Sequence, residues 1–242
     1  MFDPEEDGDP GLGVSPELVE APGRVAVAEV ASPTGNEPVE SAAEMLSLDL
    51  TDLDVAVLMV DGLNVAGQMI VVGLVITTDG TKVPVGLRIG DTENAMVVKD
   101  LIADLVDRGM RFEQGILAVL DGSKALGKAV GAAVRIQKCV LHKRRNVAGY
   151  LPENKRKAID KRLATAFAAA EADKGIAECR RIAAQLKTEH PDAAGSLLEG
   201  LDEMFTVARL GITGALRQTL TNTNCIESMI STIRTVTARV KN

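Results

Sequence analysis

Cysteine is scarce and tryptophan is absent. Three cysteines among 242 residues cannot form a disulfide framework, so the chain reads as intracellular or indifferent to redox state. Tyr150 is the one tyrosine and aromatics make up 2% of the chain, so base recognition by aromatic stacking is not expected. The longest apolar run is Val55–Val60, far short of the ~20 residues that span a bilayer. No Lys/Arg-led apolar segment opens the chain, so no signal peptide is expected. The glycines form neither GxGxxG nor GxxxxGK[ST], and Ser123 and His142 lack a GxSxG elbow. Membrane proteins, secreted miniproteins, collagens and coiled coils are excluded.

Charge is divided unevenly. Residues 1–54 hold 14 acidic residues and one basic residue, Arg24, for a net of −13. Residues 55–242 hold 20 acidic and 26 basic residues, for a net of +6. The overall −7 is therefore an average over two unlike parts. The first 50 residues carry Pro4, Pro10, Pro16, Pro22, Pro33 and Pro38 among Gly, Ser and Glu. Such a stretch buries too little apolar surface to offset its ordering entropy, which predicts a disordered acidic leader. It either covers a basic site or simply solubilises the chain.

The pattern changes at Leu53. Val55–Val60 reads as a buried strand ending at Asp61. Gln68–Thr77 and Lys82–Ile89 supply two more strands around the turn signal Thr78-Asp79-Gly80, which predicts an antiparallel meander. Thr92-Glu93-Asn94 opens a helical pattern with Val97, Val98, Leu101, Ile102 and Leu105 on one face up to Gly109. Ile116–Leu120 is a fourth strand ending on Asp121. A helix near Ser123–Val130 and a fifth strand at Val134–Val140 follow. Alternating strands and helices need crossover connections, so strands one, four and five are expected to be parallel. Residues 153–220 read as helices broken near Asp173-Lys174-Gly175, at His190-Pro191 and at Leu210-Gly211, with a last helix from about Asn224. The expected divisions are a leader at 1–50, an α/β core at 51–150, an α-helical insertion at 151–220, and a C-terminal helix of the core at 221–242.

Two strands end on an aspartate, Asp61 and Asp121. Ligands of open α/β sheets bind beyond the carboxyl ends of the strands. Two carboxylates side by side repel unless a cation lies between them, and a hard divalent ion suits an all-oxygen site. Each also precedes a glycine, and Asp-Gly is a common turn dipeptide. Glu227 lies three residues after Asn224, which reads either as a capping box or as a third carboxylate for a two-metal site. Cys139-x-x-His142 is half of a zinc signature, or a buried cysteine followed by a helix-starting histidine.

Lys138, Lys143, Arg144, Arg145, Lys155, Arg156, Lys157, Lys161 and Arg162 put nine positive charges in 25 residues, opposed by Glu153 and Asp160. A phosphate backbone is the natural partner of such a stretch. A solvated helix face is the plainer reading.

These stretches together resemble the mutator-type family of bacterial insertion-sequence transposases. The resemblance runs from about Leu48 to Asn242. It is carried by LMVDGLNVAGQMIVVGLVITTDGTKVPVGLRIGDTEN, LIADLVDRGM, LAVLDGSKALGKAV, IQKCVLHKRRNVAGYLP, SLLEGLDEMFTVARLG, LRQTLTNTNCIES and IRTVTARVK. It implies a ribonuclease H-like mixed sheet with an all-α insertion between the second and third acidic residues. It also implies a catalytic Asp-Asp-Glu triad, falling on Asp61 (LMVDG), Asp121 (LAVLDG) and Glu227 (NCIES). Cys139 and His142 match a family CxxH motif.

The implied function is metal-dependent DNA cleavage and strand transfer at insertion-sequence ends. The implied cofactor is two Mg²⁺ or Mn²⁺ ions held by the triad. Lys138, Lys143, Arg144, Arg145, Lys155, Arg156 and Lys157 would clamp the backbone of element ends and target DNA. A homo-oligomer on DNA in the nucleoid is implied, and no membrane partner. Against the family pattern the acidic leader stands in place of the usual recognition region, and the chain stops at 242 where the family continues. The resemblance thus reads it as truncated at both ends. The alternatives are a nuclease of the same fold and a non-catalytic DNA-binding or dimerising fragment.

Overall fold

A computed structural model describes residues 31–32, 35–38, 42–65, 68–90, 95–121 and 134–229. Its centre is a five-stranded mixed sheet. A small hairpin, β1 (Ala31–Ser32) and β2 (Gly35–Pro38), and a short helix α1 (Ala42–Ser47) precede it. The sheet is built from β3 (Val55–Val65), β4 (Gln68–Thr77), β5 (Lys82–Gly90), β6 (Leu117–Leu120) and β7 (Arg135–Lys138), in the order β5-β4-β3-β6-β7. The first three form the expected antiparallel meander. β3, β6 and β7 run parallel, as crossover connections require. The β4–β5 turn is Thr78-Asp79-Gly80. Asp79 Oδ1 accepts from the Thr81 amide at 3.0 Å, and Gly80 takes φ +90°, a conformation that glycine adopts without a Cβ penalty.

Period-2 alternation divides the strand side chains between two cores. Leu58 and Val60 of β3, with Ala118 and Leu120 of β6, face the helix α2 (Ala95–Asp107), which buries Val98, Leu101, Ile102 and Leu105 against them. Val57 and Met59, with Leu117 and Val119, face the other way, onto Val207, Leu220 and Ile226. Asp61 and Asp121 continue this second series. Each stands one residue beyond the last paired positions, Val60 and Leu120.

A third core holds the helical region. It comprises α3 (Val140–Gly149), α4 (Glu153–Phe167), α5 (Ala172–Leu186), α6 (Pro191–Leu198), a 3₁₀ turn (Asp202–Phe205), α7 (Thr206–Arg209) and α8 (Gly214–Leu220). Residues 224–229 form a further helix, α9. The helical region is fastened to the sheet edge by buried polar contacts. Gln137 donates to the carbonyl of Met204 at 2.9 Å and accepts from the amide of Val207 at 3.0 Å. The Thr206 hydroxyl donates to the Ile136 carbonyl at 2.6 Å.

Four expectations are corrected. β3 does not end at Asp61 but continues to Val65, paired with β4 (Asp61↔Val72), so Asp61 opens no turn. The break expected at Asp173-Lys174-Gly175 falls earlier, at residues 168–171, and Gly175 lies inside α5. Gly175 is a packing residue there: a Cβ would come within 2.3 Å of the Phe205 ring and 2.6 Å of the Ala166 carbonyl.

The end of the leader is also part of the fold. Met45 and Leu50 are buried, and Arg108 donates to the Met45 carbonyl at 3.0 Å. Finally, Lys138 and Lys143 are interior residues, 5% and 8% exposed. Lys138 pairs with Glu203 at 2.9 Å and Lys143 donates to the Ser196 carbonyl at 2.7 Å. Buried cations of this kind are held by internal partners rather than standing on a solvated helix face. The helix expected near Ser123–Val130 and residues 1–30 lie outside the described residues. Among the described residues no helix is long and apolar enough to cross a membrane.

Candidate active site

The three acidic residues gather around His142 where the parallel pairing of β3 with β6 ends. Asp61 is 1% exposed. Its Oδ1 accepts from the Gly62 amide at 3.0 Å, while Oδ2 is buried without a hydrogen-bond partner. Asp121 follows β6 directly and is partly exposed. Glu227 arrives from α9, whose Ile226 is buried in the core shared with Val57 and Met59.

Local hydrogen bonding decides where Glu227 points. Thr223, not Asn224, precedes the helix, and its carbonyl accepts from the Ile226 and Glu227 amides. The Asn224 amide is held by Asn222 Oδ1 at 2.9 Å. The capping-box reading of Glu227 is therefore set aside. Its carboxylate turns toward α3 and accepts from Arg145 Nη1 at 2.9 Å.

His142 sits at the centre. Its Nδ1 is 3.6 Å from Asp121 Oδ2 and its Nε2 is 3.9 Å from Glu227 Oε1. Both separations exceed hydrogen-bond reach, and Nδ1 is buried without a hydrogen-bond partner. Ligand atoms of Asp61, His142 and Glu227 all lie within 4.8 Å of one another. The ring is positioned by the junction of β7 and α3. The Cys139 amide donates to the Leu120 carbonyl at 2.7 Å, and the Val140 amide to the Thr221 carbonyl at 2.9 Å. Thr223 Oγ1 donates to Cys139 Sγ at 3.5 Å. One cap thus ties together β6, β7, α3 and the approach to α9.

The electrostatics follow from this crowding. Burial pushes the Asp61 carboxyl up to about 6, against the pull of the His142 charge and the Thr223 hydroxyl. Asp121 is raised in the same way by burial, opposed by His142, Lys143 and Arg145. The Cys139 side chain beside it drives His142 up to about 9 despite burial, with Asp121 and Asp61 adding to the effect. Burial alone would raise the Cys139 thiol, but His142 and the Thr223 hydroxyl outweigh it and hold it below its ordinary value. A cationic ring among three carboxylates does in part what a bound cation does.

Of the two readings of Cys139-x-x-His142, the structure gives the buried cysteine ahead of a helix whose first turn holds His142. Among the described residues, His142 joins the carboxylates, and neither Cys139 nor the buried Cys179 enters the cluster. Sequence reasoning missed Arg145 as the partner of Glu227 and Thr223 as the partner of Cys139. A signal was present: Cys139, His142 and Arg145 recur every three residues and so share one face of the helix.

The remaining basic residues divide. Arg144 is bound to Asp160 through two nitrogens at 2.8 and 2.6 Å, and Lys155 pairs with Glu189. Arg156 donates to the Leu151 carbonyl at 2.8 Å and remains exposed, as does Lys157. Arg145 is half exposed, on the rim of the acidic cluster.

Residues 37–241 match the family described as transposase, mutator family. This chain belongs to that family. The match begins ahead of Leu48, in accord with the packing of Met45 and Leu50. The chain is 28% identical over 195 residues to a transposase for an insertion sequence element of Mycolicibacterium smegmatis, covering 77% of this chain and 59% of the relative. It is 28% identical over 181 residues to a probable transposase of Corynebacterium diphtheriae, covering 73% and 52%. It is 26% identical over 179 residues to a transposase of Lactococcus lactis subsp. lactis, covering 73% and 44%. The mutator-family chain thus spans about half the length of these curated relatives.

Proposed function

We propose that this chain is the catalytic part of a DNA transposase. It would nick DNA at insertion-sequence ends and join the freed end to target DNA on a ribonuclease H-like core. The observation that carries the proposal is that Asp61, Asp121 and Glu227, from three distant segments, all approach His142 where the parallel pairing of β3 with β6 ends. The strand order, three antiparallel strands followed by two parallel ones, supports the fold assignment.

The donor set suits divalent cations. It is rich in carboxylates and contains a buried oxygen, Asp61 Oδ2, with no hydrogen bond to satisfy it. Asp61, Asp121 and Glu227 would hold two Mg²⁺ or Mn²⁺ ions. Such ions, when bound, supply activation of an attacking water or 3′-hydroxyl and neutralisation of the leaving oxygen.

The protein's own contribution is positional. Parallel pairing of β3 with β6 fixes the two aspartates side by side, and burial keeps water from solvating them fully. Arg145 stands where it can exchange Glu227 for a backbone phosphate. Arg156 and Lys157 offer exposed positive charge along the helical region, and assembly as a homo-oligomer on DNA fits this role. The test is nicking and strand transfer on labelled DNA in Mg²⁺ or Mn²⁺, with wild type beside Asp121→Asn. Cleavage by wild type that vanishes in the folded variant is expected. Equal cleavage by both proteins overturns the proposal.

A further inference from the structure

We infer that His142 is itself a metal ligand, so that the cluster has a mixed oxygen–nitrogen donor set favouring Mn²⁺ over Mg²⁺. The inference rests on the metal-dependent reading above and extends it from three carboxylates to a specific imidazole. Its basis is geometric. The atoms that fall within 4.8 Å of one another belong to Asp61, His142 and Glu227, one of them a ring nitrogen. Among the described residues two buried side-chain polar atoms lack hydrogen-bond partners, Asp61 Oδ2 and His142 Nδ1, and both residues belong to this cluster. Buried polar groups in folded proteins are met by partners, and both side chains bring a ligand atom to the same cluster.

The ring is also held in place independently of any cation. The backbone of Cys139 and Val140 is pinned to Leu120 and Thr221, and the Cys139 sulfur to Thr223. Arg145 occupies one oxygen of Glu227, Oε1, and a carboxylate has two. Mg²⁺ demands oxygen donors and keeps its waters, whereas transition ions accept imidazole. Nitrogen ligation therefore shifts selectivity toward Mn²⁺.

The chain contains two histidines, which makes the test unambiguous. The second, His190, lies in the helical region beside Lys155 and Glu189. Mn²⁺ titrated into the full-length protein is followed by pulsed electron paramagnetic resonance, which detects nitrogen bound to the ion. The expected result is an imidazole nitrogen signal in wild type and in His190→Gln that is lost in His142→Gln. The Mn²⁺ affinity of His142→Gln falls at least about tenfold, the lower end of what losing a supporting group costs a metal site, and its preference over Mg²⁺ shrinks. Mn²⁺ bound by wild type without a nitrogen signal overturns the inference and leaves a carboxylate site standing. Failure of the folded wild type to bind Mn²⁺, or binding unaffected by Asp61→Asn, overturns both this inference and the metal-dependent reading. The wild-type spectrum stands whether or not His142→Gln folds.

Discussion

The acidic cluster and the helical region treat buried polarity in opposite ways. In the helical region and at its seam with the sheet, polar groups are matched. Gln137 bonds Met204 and Val207, Lys143 bonds Ser196, and Lys138 pairs with Glu203. At the strand ends, Asp61 and His142 each leave a buried atom unmet, and both have displaced pKa values. Matched groups specify how elements dock. Unmet groups with perturbed ionisation mark a place prepared for something else. The contrast also separates two lysines from the basic stretch that contains them, because both are buried and held by internal partners.

The contrast can be broken most severely at Asp61. Asp61→Asn is expected to abolish divalent-ion binding and metal-dependent nicking. It should leave the melting temperature of the metal-free protein at pH 8 equal to or above wild type, because folding raises this carboxyl above its ordinary value and the buried charge is a cost there. Calorimetry with and without chelator reads both effects. A large loss of stability would place Asp61 among the structural groups.

Gln137→Ala is the converse experiment. It strands a buried carbonyl and a buried amide, at roughly 1–3 kcal/mol each. Urea denaturation should show that loss, and ion binding should persist in the folded fraction. Gly175→Ala should cost about 1–3 kcal/mol by overpacking against Phe205 and Ala166.

A pH test sharpens the same contrast. His142 is held at about 9 in the fold against an ordinary 6.5, so folding favours the charged ring. Its contribution is full below about pH 6.5 and lost as pH rises through about 9. The groups facing it are Cys139, Asp121, Asp61 and Glu227, with Arg145 and Lys143 nearby. Metal-free wild type should therefore lose melting temperature between pH 6.5 and 9.5, and His142→Gln should flatten that decline. The smallest effect is expected from Asp160→Asn. Its pair with Arg144 is partly solvated, and such pairs contribute about 0–1 kcal/mol.

Much of the sheet was legible in the sequence because its signals are local. The β-branched runs, the Thr78-Asp79-Gly80 turn and the crossover rule together yield an antiparallel trio and two further strands parallel to its first. Alternation then places Asp61 and Asp121 on one face. What escaped depends on partners distant in sequence. Gly175 reads as a breaker until the Phe205 ring is seen against it. Glu227 reads as a cap until Asn222 is seen to hold the Asn224 amide. Lys138 and Lys143 read as surface charge until Glu203 and Ser196 fold back onto them. The acidic composition of the leader hides that Met45 and Leu50 are core residues.

The central claim is that Asp61 and Glu227, 166 positions apart in the sequence, act as one unit. The direct measurement is Mn²⁺-dependent nicking by Asp61→Asn, Glu227→Gln and the double variant, each shown to be folded. Residues acting as a unit give non-additive losses. The double variant should therefore be no more impaired than the worse single variant, each keeping only a residual rate. Wild-type nicking by Glu227→Gln, or losses that simply multiply, would contradict the claim.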